Sequence, residues 1–328
     1  MRRLPVPILC AGLGLLVVLL AGLSLMAGRV WVPFSVWASY GQDPRWAIIF
    51  ELRIPRTVLG VLVGMALGVS GAALQGYTRN PLADPGVLGI SSMAALGGVL
   101  SLYFGLAVDS PWILPALAIG GAWLGVIVLL LLAGSTSSVV TFVLAGVVLQ
   151  SVATAATALA LNLAPTPWAV NEIVNWLLGS LADRSIEDLK IAAPFIVAGV
   201  AILLTTGRAL DALTLGETGA ASLGVDLRRE RLVLTAGVAL AVGASVAVTG
   251  AIGFVGLVVP HLVRPLVGSR PGPLLLPSAL AGAALVLAAD IVVRLTRSAA
   301  EVKLGVAMAA IGGPFFLFLL ARMRRRLA

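Results

Sequence analysis

Residues Glu51 to Ser92 read ELRIPRTVLGVLVGMALGVSGAALQGYTRNPLADPGVLGISS. Arg53 and Arg56 flank Pro55 at the start. The apolar and small residues that follow run for about 20 positions, the length of helix that crosses a hydrocarbon core. The run stops at Asn80-Pro81, where proline disfavours helix continuation, and a second apolar run opens at Gly86. Gly64, Gly68, Gly71, Ala72 and Gly76 leave room for a neighbouring helix to come close, and in lipid such packing replaces the hydrophobic drive. Gln75, Arg79, Asn80 and Asp84 are expected where the helix runs out, in a polar, wet turn. The stretch reads as a membrane helix, basic at one end and re-entrant or gate-like at the other.

The rest of the chain extends that reading. Of its 328 residues 60% are hydrophobic and 11% charged, with a mean hydropathy of +1.08, too little polar surface for a soluble globule. Runs long enough to span occur at about 6–27, 57–77, 86–106, 112–132, 139–162, 191–208, 231–250, 252–267, 273–293 and 303–322. The expected fold is an all-α integral membrane protein of ten transmembrane helices, one domain over 1–328. The first run is long for a signal peptide and is expected to remain as a span. The eighth is short and carries Gly253, Gly256 and Pro260. Between spans, Trp168 to Leu181 reads as a short amphipathic helix and about 209–230 as a cytoplasmic insertion. Within that insertion Leu215 to Gly224 has the pattern of a short helix closed by glycine, followed by a charged piece from Asp226 to Arg231.

Ten spans put both termini on one side, and charge chooses it. With the termini inside, Arg2, Arg3, Arg79, Arg208, Arg228, Arg229, Arg231, Arg264, Arg270, Arg322 and Arg324 to Arg326 are cytoplasmic, most of the 22 basic residues. Most acids fall outside, so the whole +8 balance faces the cytoplasm and its anionic lipid. Nucleic acid is not needed to explain it. Arg53, Arg56 and Arg294 run against this trend on the outer face. They serve either as headgroup anchors paired locally, with Asp290 one turn before Arg294, or as a docking surface for carboxylates of an extracytoplasmic protein.

Sliding the second span onto the seventh pairs Arg56 with Arg231, Gly68 with Gly243, Ser70 with Ser245 and Ala72 with Ala247. Alanine- and valine-rich composition yields some of these matches by chance. Read as a repeat, the second to fifth and seventh to tenth spans are inverted copies. Each copy's first span is followed by an interrupted segment, Asn80 to Gly86 and Gly250 to Pro260, a pattern that points to a transport pathway. The fifth span is the least oily long helix, and its Gln150, Ser151 and Thr154 suit a neighbouring helix or a cavity.

Catalytic chemistry is thinly represented. No phosphate-binding GxxxxGK[ST] loop is present, so an ATP-driven role requires a partner. Gly68-Val-Ser70-Gly71 with the sole histidine, His261, is the one pattern that suggests a Ser/His dyad, as in an intramembrane serine protease. Helix packing by small residues and a histidine at a helix end account for the same residues more simply, so no catalytic residue is assigned. One histidine, one cysteine (Cys10) and scattered acids give no metal site and no intramolecular disulfide. An ion-coupled secondary transporter is the alternative from another class, but the acids cluster near the expected span ends rather than at mid-membrane.

Several motifs occur in a familiar order: Arg53-Ile-Pro-Arg56, Ser70-Gly71 with Gln75, Asn80-Pro-Leu-Ala-Asp-Pro-Gly86, Leu88-Gly89, Leu215-Gly-Glu217, Leu223-Gly224, Gly250-Ala-Ile-Gly-Phe-Val-Gly-Leu-Val-Val-Pro-His261, and Ala289-Asp290 with Arg294. With them the chain resembles the FecCD-type permease subunits of binding-protein-dependent ABC importers for iron-siderophores, haem and cobalamin. The resemblance implies a homodimer in the bacterial cytoplasmic (inner) membrane. Two ATP-binding subunits would carry the ATP and Mg, this chain binding no cofactor, and an extracytoplasmic substrate-binding protein would deliver the cargo. It points to Arg53, Arg56 and Arg294 for binding-protein docking, and to Glu217, Ala220, Leu223 and Gly224 for ATPase coupling. Fifth helices of the two copies would line a shared path closed inside by Asn80, Leu82, Ser138 and Val139, although Val139 is apolar where some relatives carry a hydroxyl.

Overall fold

The computed structural model of the chain describes residues 4–28, 30, 32–39, 42–108, 110–134, 138–296 and 301–327, without side chains at 320 and 322–327. The terminal arginines used for orientation, Arg2, Arg3, Arg322 and Arg324 to Arg326, have no described side chains. Regular structure among the described residues is helical. In order come α1 (Val6–Met26), then α2 (Arg45–Ala47), which passes through a π-helical turn (Ile48–Arg53) into α3 (Ile54–Thr78). Next are α4 (Ile90–Tyr103), α5 (Ile113–Ala133), α6 (Val139–Asn162), α7 (Pro167–Leu177) and α8 (Ile186–Thr205). Last are α9 (Gly207–Leu213), α10 (Gly216–Ser222), α11 (Leu227–Thr249), α12 (Val255–Val267), α13 (Pro271–Leu295) and α14 (Leu304–Leu327).

Local chemistry fixes many of the helix starts. Ser138 begins α6, Thr166 with Pro167 begins α7, and Ser185 and Asp188 form a reciprocal capping box at α8. Asp226 accepts from the N–H groups of Arg228 at 3.0 Å and Arg229 at 3.1 Å and so caps α11. The charged piece expected from Asp226 to Arg231 is therefore not part of the insertion but the first turn of a long apolar helix. Arg231 at its end is 7% exposed. It donates to the Tyr77 hydroxyl at 3.1 Å and to Gly134 O at 3.0 Å, and its guanidinium lies 5.8 Å from the Phe142 ring centre.

Among the described residues, seven helical segments are long and apolar enough to cross a membrane: α1, the continuous 45–78 helix, α5, α6, α8, α11 and α13. The apolar α4 and α12 have only 14 and 13 residues, so two of the expected spans are shorter than their hydropathy suggested. The 45–78 helix and α11 are 78% buried in their most apolar windows against 17% for α1, which places α3 and α11 at the centre and α1 at the rim. The glycines of α3 act as expected. A Cβ at Gly64 would overlap Gly282 O, one at Gly68 would overlap Ser278 O, and one at Gly71 would overlap Gly256 O. Thus α3 meets α13 and α12 backbone to backbone.

Candidate docking, coupling and translocation sites

At the Arg53 end, Arg53, Arg56 and Arg294 line one cavity of about 200 Å³ with Asp183 and Glu301. The structure brings the three together but does not project them outward. Asp290, 1% exposed, lies between two guanidiniums: Arg56 Nη2 at 2.8 Å and Arg294 Nη2 at 2.9 Å. Arg56 Nε adds bonds of 3.1 and 3.2 Å to the same carboxylate, and Arg56 also pairs with Glu301. Arg294 donates to Ser24 O at 2.9 Å and to Ser24 Oγ, whose hydroxyl meets Thr57 Oγ1 at 2.7 Å. Arg53 donates to Leu25 O at 2.9 Å and Met26 O at 3.3 Å. These two arginines satisfy carbonyls that the C-terminus of α1 leaves without intrahelical partners. Arg53 and Arg294 are 6% and 8% exposed. Part of the reason arginines sit at this end is therefore structural. Nearby, a hydrogen bond from Arg45 holds the Asp43 carboxyl below its usual range.

At the Arg79 end, the coupling candidates lie on and just after α10. Ala220 is fully buried and receives the Val225 N–H at 3.1 Å, whereas Leu223 is 64% exposed and Gly224 turns the chain at φ +84°. Leu215, at the other end of α10, is 68% exposed. The Glu217 carboxylate accepts the Val139 N–H at 3.2 Å. It thus caps the first turn of α6, where unpaired N–H groups and the helix dipole favour a negative charge. A coupling candidate and a gate candidate that are 78 positions apart are joined by one bond.

The gate turn begins as expected and then departs from expectation. Arg79 ends α3 in the left-handed region at φ 51°, and Asn80, exposed, accepts the Leu82 N–H at 3.0 Å. Leu82 is half-buried. Beyond it the chain re-enters the protein, as the re-entrant reading expects, but Asp84 is enclosed by protein rather than in a wet turn. A Cβ on Gly256 would lie 3.0 Å from Pro85 Cδ, 3.2 Å from Asp84 Oδ2 and 3.0 Å from Leu67 O, so Asp84 stands beside the middle of α3. Leu88 and Gly89 pack on Gly146 and Leu149 in the middle of α6. Gln75, likewise expected in the turn, is 3% exposed inside α3 and donates to Gly256 O at 3.2 Å. The starts of α4 and α12 meet around a cavity of about 210 Å³ lined by Asp84, Ser91, Ser92, Ser245, Thr249 and Gly253. Irregular backbone is tolerated at this depth because protein, not lipid, surrounds it.

Along α6, Ser151 and Thr154 are exposed and Gln150 is half-buried. Their neighbours Val140, Leu144, Val147, Val148 and Val152 are exposed as well. Ser151 and Thr154 donate to Val147 O at 2.9 Å and Gln150 O at 2.8 Å, which quenches both hydroxyls and leaves a smooth face. Ser138 sits exposed at the start of the helix and Val139 is 8% exposed. The Ser70 hydroxyl and His261 Nδ1 are buried without hydrogen-bond partners, so no Ser/His dyad is assembled among the described residues.

A family model described as the FecCD transport family matches residues 15–322. The chain belongs to the FecCD transport family. Among similar proteins, the vitamin B12 import system permease of Klebsiella pneumoniae is 38% identical over 317 residues, covering 96% of this chain and 94% of the relative. The hemin transport system permease of Yersinia pestis is 37% identical over 328 residues, with 96% of both chains covered. A solved inward-facing structure described as a metal-chelate type ABC transporter superposes with a TM-score of 0.85 at 32% identity, covering 97% of this chain and 99% of that one. This FecCD chain is a multi-pass membrane protein from a family of transport permeases. Sequence reasoning missed the enclosure of Asp84 beside the middle of α3, the Arg231–Tyr77–Phe142 cluster and the Glu217–Val139 bond. The one available signal was the paired interruption at Asn80 to Gly86 and Gly250 to Pro260.

Proposed function

We propose that this chain is the membrane-spanning subunit of a binding-protein-dependent ABC importer for an iron chelate (siderophore or haem) or cobalamin. Two copies pair through the smooth face of α6, and two separate ATP-binding subunits supply ATP hydrolysis. The ten apolar segments cross or enter a bacterial cytoplasmic membrane as two inverted halves, with both termini and the 209–230 insertion cytoplasmic. The Arg79 end is then the cytoplasmic one, a placement supported by the excess of Lys and Arg there. The vitamin B12 and hemin relatives support the cargo class.

The Glu217–Val139 bond carries the mechanism. Leu215 and Leu223 offer apolar knobs to the ATP-binding subunit, and movement of α10 is passed through Glu217 to the first turn of α6. Ser138 and Val139 then move relative to Asn80 and Leu82, opening or closing the cytoplasmic mouth of the path that Gln150, Ser151 and Thr154 line further along α6. Ala220 anchors α10 from below and Gly224 lets the chain turn away. At the outer face an acidic surface of the binding protein competes with Glu301, whose side chain is 34% exposed, for Arg56 and its neighbours Arg53 and Arg294. The test is the full complex in proteoliposomes with Glu217→Ala and Glu217→Gln. Alanine should leave ATP hydrolysis running while uptake fails, and glutamine, which keeps an acceptor, should fall between. Uptake at the wild-type rate by the alanine variant would end this account.

One observation favours a second reading. Asp84 stands beside the middle of α3, and acids at mid-membrane are what ion-coupled carriers use. Uptake that follows a sodium or proton gradient without ATP, and that stops in Asp84→Asn, would establish a secondary transporter instead.

A further inference from the structure

Beside the Arg79 end of α3, a cavity of about 290 Å³ lies between α3, the α9–α10 turn, α12 and the start of α13. Its polar side chains are Gln75, Arg79, Thr214, Arg264 and Ser269, of which Thr214 gives its hydroxyl to Asp211 O at 2.7 Å, and no acid lines it. Arg264 is half-buried and gives Nη2 to Gln75 Oε1 at 2.7 Å. The Gln75 amide is held in that orientation because its nitrogen bonds Gly256 O at 3.2 Å. Neither Arg264 nor Arg79 meets a carboxylate among the described residues. The acids on the adjoining elements are committed elsewhere. Asp211 takes Arg270 at 2.9 Å and the Gly272 N–H at 2.8 Å, and Glu217 takes the Val139 N–H. A half-buried guanidinium bonded only to an amide lacks the countercharge that offsets its desolvation.

We infer that this cavity is a phosphate-binding site, filled by the headgroup of an anionic phospholipid or by free phosphate. Two guanidiniums and the Ser269 hydroxyl around one cavity match the tetrahedral, multiply accepting oxygens of a phosphate, and arginine forks bind such groups in paired contacts. The apolar remainder of the lining, including Ala72 and Leu274, accommodates a glycerol or acyl stem. A bound phosphate ties Arg79, at the root of the gate turn, to Arg264 on α12. Arg79 Nη1 also lies 3.7 Å from the Cβ position of Gly216, where α10 begins, so occupancy touches the coupling helix as well.

The experiment uses the full chain, in nanodiscs of phosphatidylcholine with or without phosphatidylglycerol and in detergent with sodium phosphate against sodium chloride at equal ionic strength. Native mass spectrometry reads retained lipid and the thermal midpoint reads phosphate. Selective retention of phosphatidylglycerol identifies the lipid source, and stabilisation by phosphate with no lipid selectivity identifies the free anion. Arg79→Asn suits the left-handed backbone there and breaks no internal bond, so it should fold normally. It and Arg264→Gln should each weaken binding about tenfold, the effect of one lost charged hydrogen bond, while Arg45→Gln behaves as wild type. The inference is overturned if neither source binds, if binding is unchanged in Arg79→Asn, or if in the assembled complex the two arginines instead engage a carboxylate of the ATP-binding subunit.

Discussion

Replacing Asp290 by asparagine removes the charge that Arg56 and Arg294 share. The carboxylate is 1% exposed and receives three hydrogen bonds of 2.8 to 3.2 Å from Arg56 Nε and Nη2, with Arg294 Nη2 in an ion pair at 2.9 Å. Asparagine keeps one acceptor, so part of the geometry survives, but two cations are left facing each other with little water. Breaking a buried ion pair from one side typically costs about 3 to 5 kcal/mol, because the remaining charge stays desolvated. Glu301 offsets part of this for Arg56 through a direct pair and less of it for Arg294, whose other hydrogen-bond acceptors are neutral oxygens of α1. A loss near the lower end, about 3 kcal/mol, is therefore expected. Glu301→Gln should cost at most about 1 kcal/mol, since its side chain is one-third exposed and solvent screens it. Denaturant titration of the purified chain in detergent micelles, followed by tryptophan fluorescence, compares the two. If Asp290→Asn is no less stable than Glu301→Gln, the carboxylate is not what holds α1, α3 and α13 together at this end. Adding Arg294→Met to Asp290→Asn should recover stability, because it removes the stranded cation.

Gly71→Ala should destabilise by about 1 to 3 kcal/mol through overlap with Gly256 O, whereas Gly120→Ala, which meets nothing within 4 Å, should be neutral or slightly stabilising; thermal midpoints in detergent decide this. Arg56→Glu should weaken docking of the cognate binding protein, and wild-type docking should fall with salt, because attraction between surfaces is screened beyond about 8 Å at physiological ionic strength; surface plasmon resonance on nanodiscs measures both, and salt-independent docking would contradict the electrostatic account. Cysteines placed at Asn80 and Ser138 should lose reactivity towards aqueous thiol reagents when the mouth closes, and unchanged labelling across the nucleotide cycle would remove both from the gate.

The long helices were legible from the sequence because lipid-facing and core-facing residues are alike apolar. Hydropathy therefore reports α1, at the rim, and α11, at the centre, equally well. The same indifference hid the short helices. Val87, Leu88 and Ile252 are as apolar as any helical residue, yet the chain around them is irregular and enclosed by protein. Arginines were recognisable as boundary markers, but one sequence does not tell a guanidinium facing water from one capping another helix's carbonyls, as Arg53 and Arg294 do. The bond between Glu217 and Val139 had no local signal at all, because only the fold brings those positions together. The segment was legible as re-entrant or gate-like, but Asp84 was expected in a wet turn, because polarity and proline serve equally to leave helix geometry in solvent and inside the protein.

The glycine contacts along α3 constrain how the protein can move. Where side chains interdigitate, two helices can slip past each other by re-seating rotamers, the small sliding seen in shear motions. At Gly64, Gly68 and Gly71 there are no rotamers to re-seat, and any slip along the axis drives carbonyl oxygens into the facing main chain. The three helices α3, α12 and α13 thus behave as a fused block, and access to either side of the membrane has to change by swinging other helices around it. Helix α6, attached at its first turn to Glu217 and resting on α4 and α5, with Phe142 against Tyr77 and Arg231, lies outside that block and is placed to act as the lever.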